Sequence, residues 1–341
     1  MPVIEQAAER GLIPRPLVRL GIRRLIAGRL RATTRGDVAA RRAAFLDAMR
    51  ASPIALHPTD ANAQHYEVPA DFFRLVLGPR LKYSACLWPD GVTTLAGAEE
   101  AMLRLTCERA GIADGMHVLD LGCGWGSLTR WILERYPACR VTAVSNAASQ
   151  GSFVRTDLAR RGLDARATVL TADMNAFEPG QRFDRVCSIE MFEHMRNWEA
   201  LLARIAGWLA SDGRLFLHVF CHRTLAYPYE IDGDGDWMAR NFFTGGMMPS
   251  LDLLDAFRRD LTVEASWQVS GSHYARTCEA WLANLDHGGA DLADVLARTY
   301  GAPGARRWRH RWALFLLGCA ELFAHDGGEA WLVGHYRLRP A

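Results

Sequence analysis

The chain has 341 residues, half of them hydrophobic and 23% charged, with a formal net charge of +2. That length allows one large core domain with a smaller accessory region, and the composition is that of an ordinary globular protein. So small a charge gives no global field for nucleic acid, and the aromatic and basic signature of RNA-binding modules is absent.

Residues 1–60 read as helices broken at Pro14, Pro16 and Ser52-Pro53, followed by a polar link near Asp60. Ten arginines lie between Arg15 and Arg50, interleaved with Leu17, Leu20, Ile22, Leu25, Ile26 and Leu30. Such a basic, partly amphipathic segment is a solvated helix face or, alternatively, a peripheral surface for anionic lipid or an acidic partner. An amphipathic helix over Ala98–Gly111 then leads to a strand at His117–Leu121, a glycine turn, and a helix ending near Pro137. Strands at Arg140–Val144 and Ala167–Leu170 flank a helix at Gln150–Arg161. A fourth strand at Arg185–Ile189, a helix at Trp198–Leu209 and a fifth strand at Arg214–Val219, after a Ser211-Asp212-Gly213 turn, continue the alternation. Parallel strands joined by helices predict a doubly wound α/β sheet.

After Cys221 the alternation gives way to a Trp-, Tyr- and Gly-rich stretch from Tyr227 to Pro249, read as an inserted cap. A helix at Leu251–Arg258, a strand at Leu261–Gln268, helices around Tyr274–Leu285, Leu292–Tyr300 and Arg306–Phe323, and a closing strand at Ala330–Leu338 follow. The expected organisation is an N-terminal helical extension over 1–60, a cofactor-binding core with a lid segment over 61–222, a cap over 223–250, and the remaining strands with substrate-covering helices over 251–341. The eight cysteines form no C-x-x-C pair and follow no signal-peptide pattern, so the expected compartment is the reducing cytoplasm. The apolar run from Trp312 to Ala324 is too short to span a bilayer and carries Glu321.

The chemistry starts at Val118–Gly126, where a strand runs into DLGCGWG. With Gly122, Gly124 and Gly126 the bend carries few side chains, so a ligand can approach the backbone and the next helix can pack closely. The spacing is G-x-G-x-G, neither the dinucleotide fingerprint nor a phosphate loop, and it suits S-adenosylmethionine (SAM) better than NAD or ATP. The turn alone leaves two readings open, cofactor loop and tight bend. At the second strand end Ser145, Asn146 and Gln150 stand where ribose-binding acids would stand. Past the third strand, Asp173 is placed for an adenine amine and Met174 for the ring, or else to cap a helix. SIEMFEHM, Ser188–Met195, ends the fourth strand. If Glu190 opens a helix, Glu193 and His194 lie one turn on and face the same way, so that three ionisable groups share one pocket edge. The alternative is a helix start with Glu favoured by the macrodipole and His exposed.

HYEVPADFF (His65–Phe73), LKYSACLW (Leu81–Trp88), VLDLGCGWGSL (Val118–Leu128), SIEMFEHMRNW (Ser188–Trp198), FFTGGMMPS (Phe242–Ser250), HYARTCEAWL (His273–Leu282) and AELF (Ala320–Phe323) run through the chain. In these motifs it resembles the SAM-dependent methyltransferases related to cyclopropane fatty acid synthases, and within them the coclaurine N-methyltransferase group. The resemblance implies a seven-stranded, Rossmann-like class I fold. It implies SAM contacts from Tyr83, Ser84, Asp120, the turn glycines, Asn146, Gln150, Asp173 and Met174, with S-adenosylhomocysteine (SAH) as product and no metal. Glu190, Glu193 and His194 match a cluster associated with amine methylation. His218 and Tyr274 match positions that help hold bicarbonate in the fatty-acid enzymes. Those enzymes have Tyr-Ser-Cys where this chain has Tyr83-Ser84-Ala85, and Phe220 replaces a smaller aliphatic residue, so the bicarbonate cradle is expected to be incomplete.

The expected reaction is N-methylation of a small or medium-sized amine, with His194 as base, Glu190 steering the cation and Glu193 in support. Trp237, Phe242, Phe243 and Phe323 are expected to line an apolar pocket, or to serve the core. The alternatives are a cyclopropane-forming enzyme acting on unsaturated acyl chains and a noncatalytic SAM-binding regulator.

Overall fold

The computed structural model describes residues 3–56, 68–229 and 237–341. The polar link near Asp60, His65–Glu67 of the first motif, and 230–236 of the expected cap lie outside the described residues.

Seven strands form one sheet: β1 (His117–Leu121), β2 (Arg140–Ser145), β3 (Ala167–Thr171), β4 (Phe183–Ile189), β5 (Leu209–His222), β8 (Leu261–Val269) and β9 (Trp331–Pro340), in the order β3-β2-β1-β4-β5-β9-β8. β6 (Tyr227–Pro228) and β7 (Met247–Met248) make a separate two-stranded ribbon in the cap. The expected α/β sheet of seven strands is therefore present, parallel from β3 through β5. β9 runs antiparallel to both β5 and β8. The strand order reverses between β1 and β4, the place where a doubly wound sheet opens a crevice beyond its carboxyl ends.

Strand alternation builds the two faces. Leu119, Val186, Leu215 and Leu217 enter one core with Trp198, Leu202 and Ile205 of the helix Trp198–Trp208. Val118, Cys187 and Phe216, one residue out of phase, enter the other with Leu103, Leu128, Trp131 and Val154. A third cluster, with Phe72, Phe73, Trp281, Trp312 and Leu316, joins the helices Ala70–Val76, Gly271–His287 and Ala302–Ala324 into a lobe beside the sheet.

Three local expectations change. The expected Ser211-Asp212-Gly213 turn lies within β5, whose register with β4 shifts between Phe183 and Arg185; a bulge there absorbs the extra residues without ending the strand. Leu251–Arg258 forms only a 3-10 turn at Leu253–Ala256. The N-terminal arginines are also not simply a solvated face. On the helix Arg15–Thr34, Arg15 pairs with Asp286, Arg19 with Glu279 and Glu321, and Arg23 with Glu321, tying the extension to the lobe. No helix among the described residues is long and apolar enough to cross a membrane.

Candidate active site

The glycine turn borders a cleft, and its glycines differ in their surroundings. Gly122 has φ +86° and a Cβ there would meet Met191 at 2.9 Å, whereas Gly124 has open space around it. Both border the clefts at this end of the sheet. Gly126, expected among the cofactor contacts, instead lies against Val154, 2.9 Å from where its Cβ would be, so its place is in helix–helix packing. Asp120 is buried and accepts both the hydroxyl (2.6 Å) and the backbone N–H (3.2 Å) of Thr129, pinning β1 to the helix Ser127–Arg135. Burial pushes its carboxyl up to about 6.

Two adjoining clefts flank this turn. The outer one is lined by Gly122, Gly124, Asn146, Gln150, Asp173 and Met174 together with Glu190 and His194. Ala55, Met195, Thr244 and Gly245 close it from the extension, the stretch after β4 and the cap; the last three fall in the motifs SIEMFEHM and FFTGGMMPS but were not among the expected site residues, and no local sequence signal marks Ala55. Asp173 borders it while Oδ1 accepts the Asn175 N–H, so cap and cleft wall coexist in one side chain. The second, smaller cleft is lined by Lys82, Tyr83, Ser84, Asp120 and Ser127.

A SAM-sized ligand finds matching chemistry here. Gln150 is held by Ser145, whose hydroxyl donates to Oε1 at 2.7 Å, while its buried Nε2 has no hydrogen-bond partner among the described residues. The same is true of the Ser127 hydroxyl. Buried donors without partners are costly unless a ligand meets them. No group of His, Cys, Asp and Glu among the described residues has the makings of a metal site.

Adjoining these clefts is an apolar cavity walled by Tyr83, Phe220, Tyr229, Phe243, Trp281 and Phe315 among others. Tyr274 and Phe323 stack there with centroids 4.3 Å apart. Of the expected aromatics, Phe243, Tyr274 and Phe323 are in the wall. Phe242 is fully buried behind it, stacked on Phe315, and Trp237 turns away to donate to Glu9. Trp281 and Phe315 were not anticipated, although Tyr274, Cys278 and Trp281, and Phe315, Cys319 and Leu322, recur at the spacing of one helix face.

Glu190 and His194 line both the outer cleft and the aromatic cavity. Glu190 does not open a helix: it sits at φ +49°, its N–H donates to His218 O of β5, and only Phe192–His194 form a single 3-10 turn. A non-glycine residue held in this region costs about 1–3 kcal/mol, and such strain gathers at functional sites. The left-handed step aims the carboxylate at three donors. Oε1 accepts from Ala85 N–H at 2.9 Å and from His218 Nε2 at 3.0 Å, and Oε2 accepts from the Tyr274 hydroxyl at 2.6 Å. Burial raises the Glu190 carboxyl, while Lys82, Tyr274 and the Ala85 N–H oppose that rise.

Glu193 departs from expectation. It is fully buried behind the wall, with Oε1 accepting the Phe220 N–H at 2.6 Å and Oε2 without a partner among the described residues. Burial, then the charge of Glu190, pushes it well above the ordinary carboxylate range. Glu193 therefore does not share the edge that Glu190 and His194 form. The His194 ring lies 4.5 Å from Phe243, and burial lowers its pKa to about 4 while Glu190 pulls it upward. Ser84 also has a local role, its hydroxyl accepting from the buried Lys82 Nζ at 2.6 Å.

His218 and Tyr274, expected to face an acceptor or a bicarbonate ion, both grip Glu190, and the Phe220 N–H is taken by Glu193. The groups expected to hold bicarbonate are thus hydrogen-bonded to the chain's own carboxylates.

The family model for mycolic acid cyclopropane synthetase matches residues 56–331. An (S)-coclaurine N-methyltransferase of Thalictrum flavum subsp. glaucum is 37% identical over 335 residues, covering 96% of this chain and 92% of that one. A cyclopropane-fatty-acyl-phospholipid synthase of Escherichia coli (strain K12) is 27% identical over 79% of this chain and 66% of its own. A crystal structure of coclaurine N-methyltransferase bound to N-methylheliamine and SAH superposes with a TM-score of 0.94 at 36% identity, covering 99% of this chain and 100% of that one.

Proposed function

This chain belongs to the mycolic acid cyclopropane synthetase family and is a SAM-dependent methyltransferase, and from that premise we propose that its acceptor is the nitrogen of a small or medium-sized, alkaloid-like cyclic amine. One observation carries the reading: the outer cleft and the aromatic cavity meet at Glu190 and His194, and the donors of the anion cradle are already held by Glu190 and Glu193. N-methyltransferases among its relatives support it.

SAM, when bound, supplies a methyl group on a sulfonium, which an in-line nucleophile takes. Gly122, Gly124, Asn146, Gln150, Asp173 and Met174, which line the outer cleft, would hold it. The aromatic wall excludes water and offers ring faces to a cation. An amine attacks only as its free base, so a proton must leave first. His194 is neutral at physiological pH, because burial holds its pKa near 4, and as a neutral imidazole at the junction of the two cavities it is the base that takes that proton. Glu190 borders the same junction as a hydrogen-bonded carboxylate, offsets the arriving ammonium, and stabilises the imidazolium formed at His194. Glu193 backs the wall and is a positioning group for the Phe220 backbone.

The experiment supplies labelled SAM with a panel of cyclic secondary amines and, separately, with vesicles of unsaturated phospholipid. Label in the amines is the expected result. Label entering only the lipid would overturn the proposal, because an alkene acceptor needs the cradle that these carboxylates fill.

A further inference from the structure

We propose that His335 and Arg109 are positioning residues for methyl transfer, acting through His218 to fix Glu190 as an oriented carboxylate. The inference rests on the role given to Glu190 above. It starts from the register of the sheet, in which His218 of β5 stands directly opposite His335 of β9. Paired residues of antiparallel strands project from the same face, so the two imidazoles meet although 117 residues separate them. Both are fully buried, their ring centroids 4.6 Å apart, with His335 Nε2 2.9 Å from His218 Nδ1. At the far end Arg109, on the helix Leu95–Ala110, brings a guanidinium nitrogen within 2.7 Å of His335 Nδ1 while lying over the Trp267 ring.

The direction of this chain is dictated by chemistry. A guanidinium has donors and no acceptor, so His335 Nδ1 must be bare and its proton must sit on Nε2. His335 then donates to His218 Nδ1, which leaves His218 protonated on Nε2 and donating to Glu190 Oε1. Burial, with the positive charges of Arg109 and Lys82, holds both rings well below the usual imidazole range, so neither becomes a cation that would release the order. Two buried histidines in a sheet where Val or Leu would pack must have every nitrogen satisfied, and here each nitrogen is used once in a single sense. Without His335, His218 is free to move its proton to Nδ1 and turn a lone pair against the carboxylate. The other titratable groups facing Glu190 are Lys82, Cys86, Glu193, His194, Tyr274 and Cys278.

The test compares His335→Leu, His335→Gln and Arg109→Met with the unaltered full chain. In kcat/KM against pH, with whichever acceptor takes label, His335→Leu should move the acidic limb up by about one pH unit, a tenfold loss below the limb. The affinity for SAH should stay the same. His335→Gln, whose amide N–H can replace Nε2–H, should return the limb toward its original position, and Arg109→Met should shift it in the same direction as His335→Leu. Nitrogen-15 NMR of histidine-labelled protein, with His218 assigned by a His218→Asn variant, should show His218 protonated at Nε2. An unmoved limb in folded His335→Leu or Arg109→Met, or a His218 protonated at Nδ1 in the unaltered protein, would overturn the proposal. If label enters only lipid, the amine reading fails by itself, and the tautomer and limb comparisons still decide this one.

Discussion

Replacing Tyr274 with Phe removes one oxygen and little else. The ring keeps its place against Phe323, with centroids 4.3 Å apart, so the aromatic wall is retained. What is lost is the hydroxyl 2.6 Å from Glu190 Oε2, one of three donors on that carboxylate. A hydrogen bond to a charged group contributes about 1.5–3 kcal/mol, and one pKa unit corresponds to about 1.4 kcal/mol. Removing a donor from the ionised form therefore raises the Glu190 pKa, already elevated by burial, by about one to two further units. Protonated Glu190 cannot offset an ammonium, so the loss appears on the acidic side: kcat/KM for the amine should fall about tenfold or more below the new limb and recover as pH rises. Tyr274 itself is held well above its ordinary pKa, so the phenol does not titrate within the assay range. SAH affinity, measured by calorimetry, should be unchanged. A uniform loss at every pH, with the limb in its original place, would refute the reasoning and leave Tyr274 a purely steric part of the wall.

Glu190→Gln and His194→Ala should each abolish turnover while SAH binding by calorimetry survives, since both residues border the cavity junction; undiminished activity in both would remove their assigned roles. Glu193 is raised far above its unfolded value, so the folded chain binds more protons and stability falls as pH rises from the ordinary carboxylate pKa through the folded one. Glu193→Gln should flatten that fall, read as Tm against pH, with the benefit seen at the alkaline end; a steeper fall in the variant would contradict it. Gly126→Ala places a Cβ against Val154 at φ +76° and should cost about 1–3 kcal/mol in a denaturant titration. Gly124→Ala meets open space, so beyond the smaller cost of its backbone conformation it should act mainly on SAH affinity, and equal effects of the two variants on binding would show that the loop is not divided as described.

The sequence by itself determined what short-range chemistry controls. The strand positions, the glycine turn after His117–Leu121, and the polar groups at the ends of the next strands were legible because side-chain periodicity and glycine freedom act within a few residues. The motifs likewise carried the family. Tertiary structure alone decided the direction in which functional groups face. Glu190 leaves β4 through a left-handed step that no helical count anticipates, and Glu193 consequently turns to the β5 backbone and not to the cavity. Trp237 and Phe242 lie outside the wall because Glu9 and the helix Ala302–Ala324 claim them, while Trp281 and Phe315 take the expected places. His218 meets His335 only through the antiparallel register of β5 and β9. Periodicity says which face of an element is apolar, whereas register and a single strained residue set which distant atoms come within hydrogen-bonding reach, and this chemistry depends on the latter.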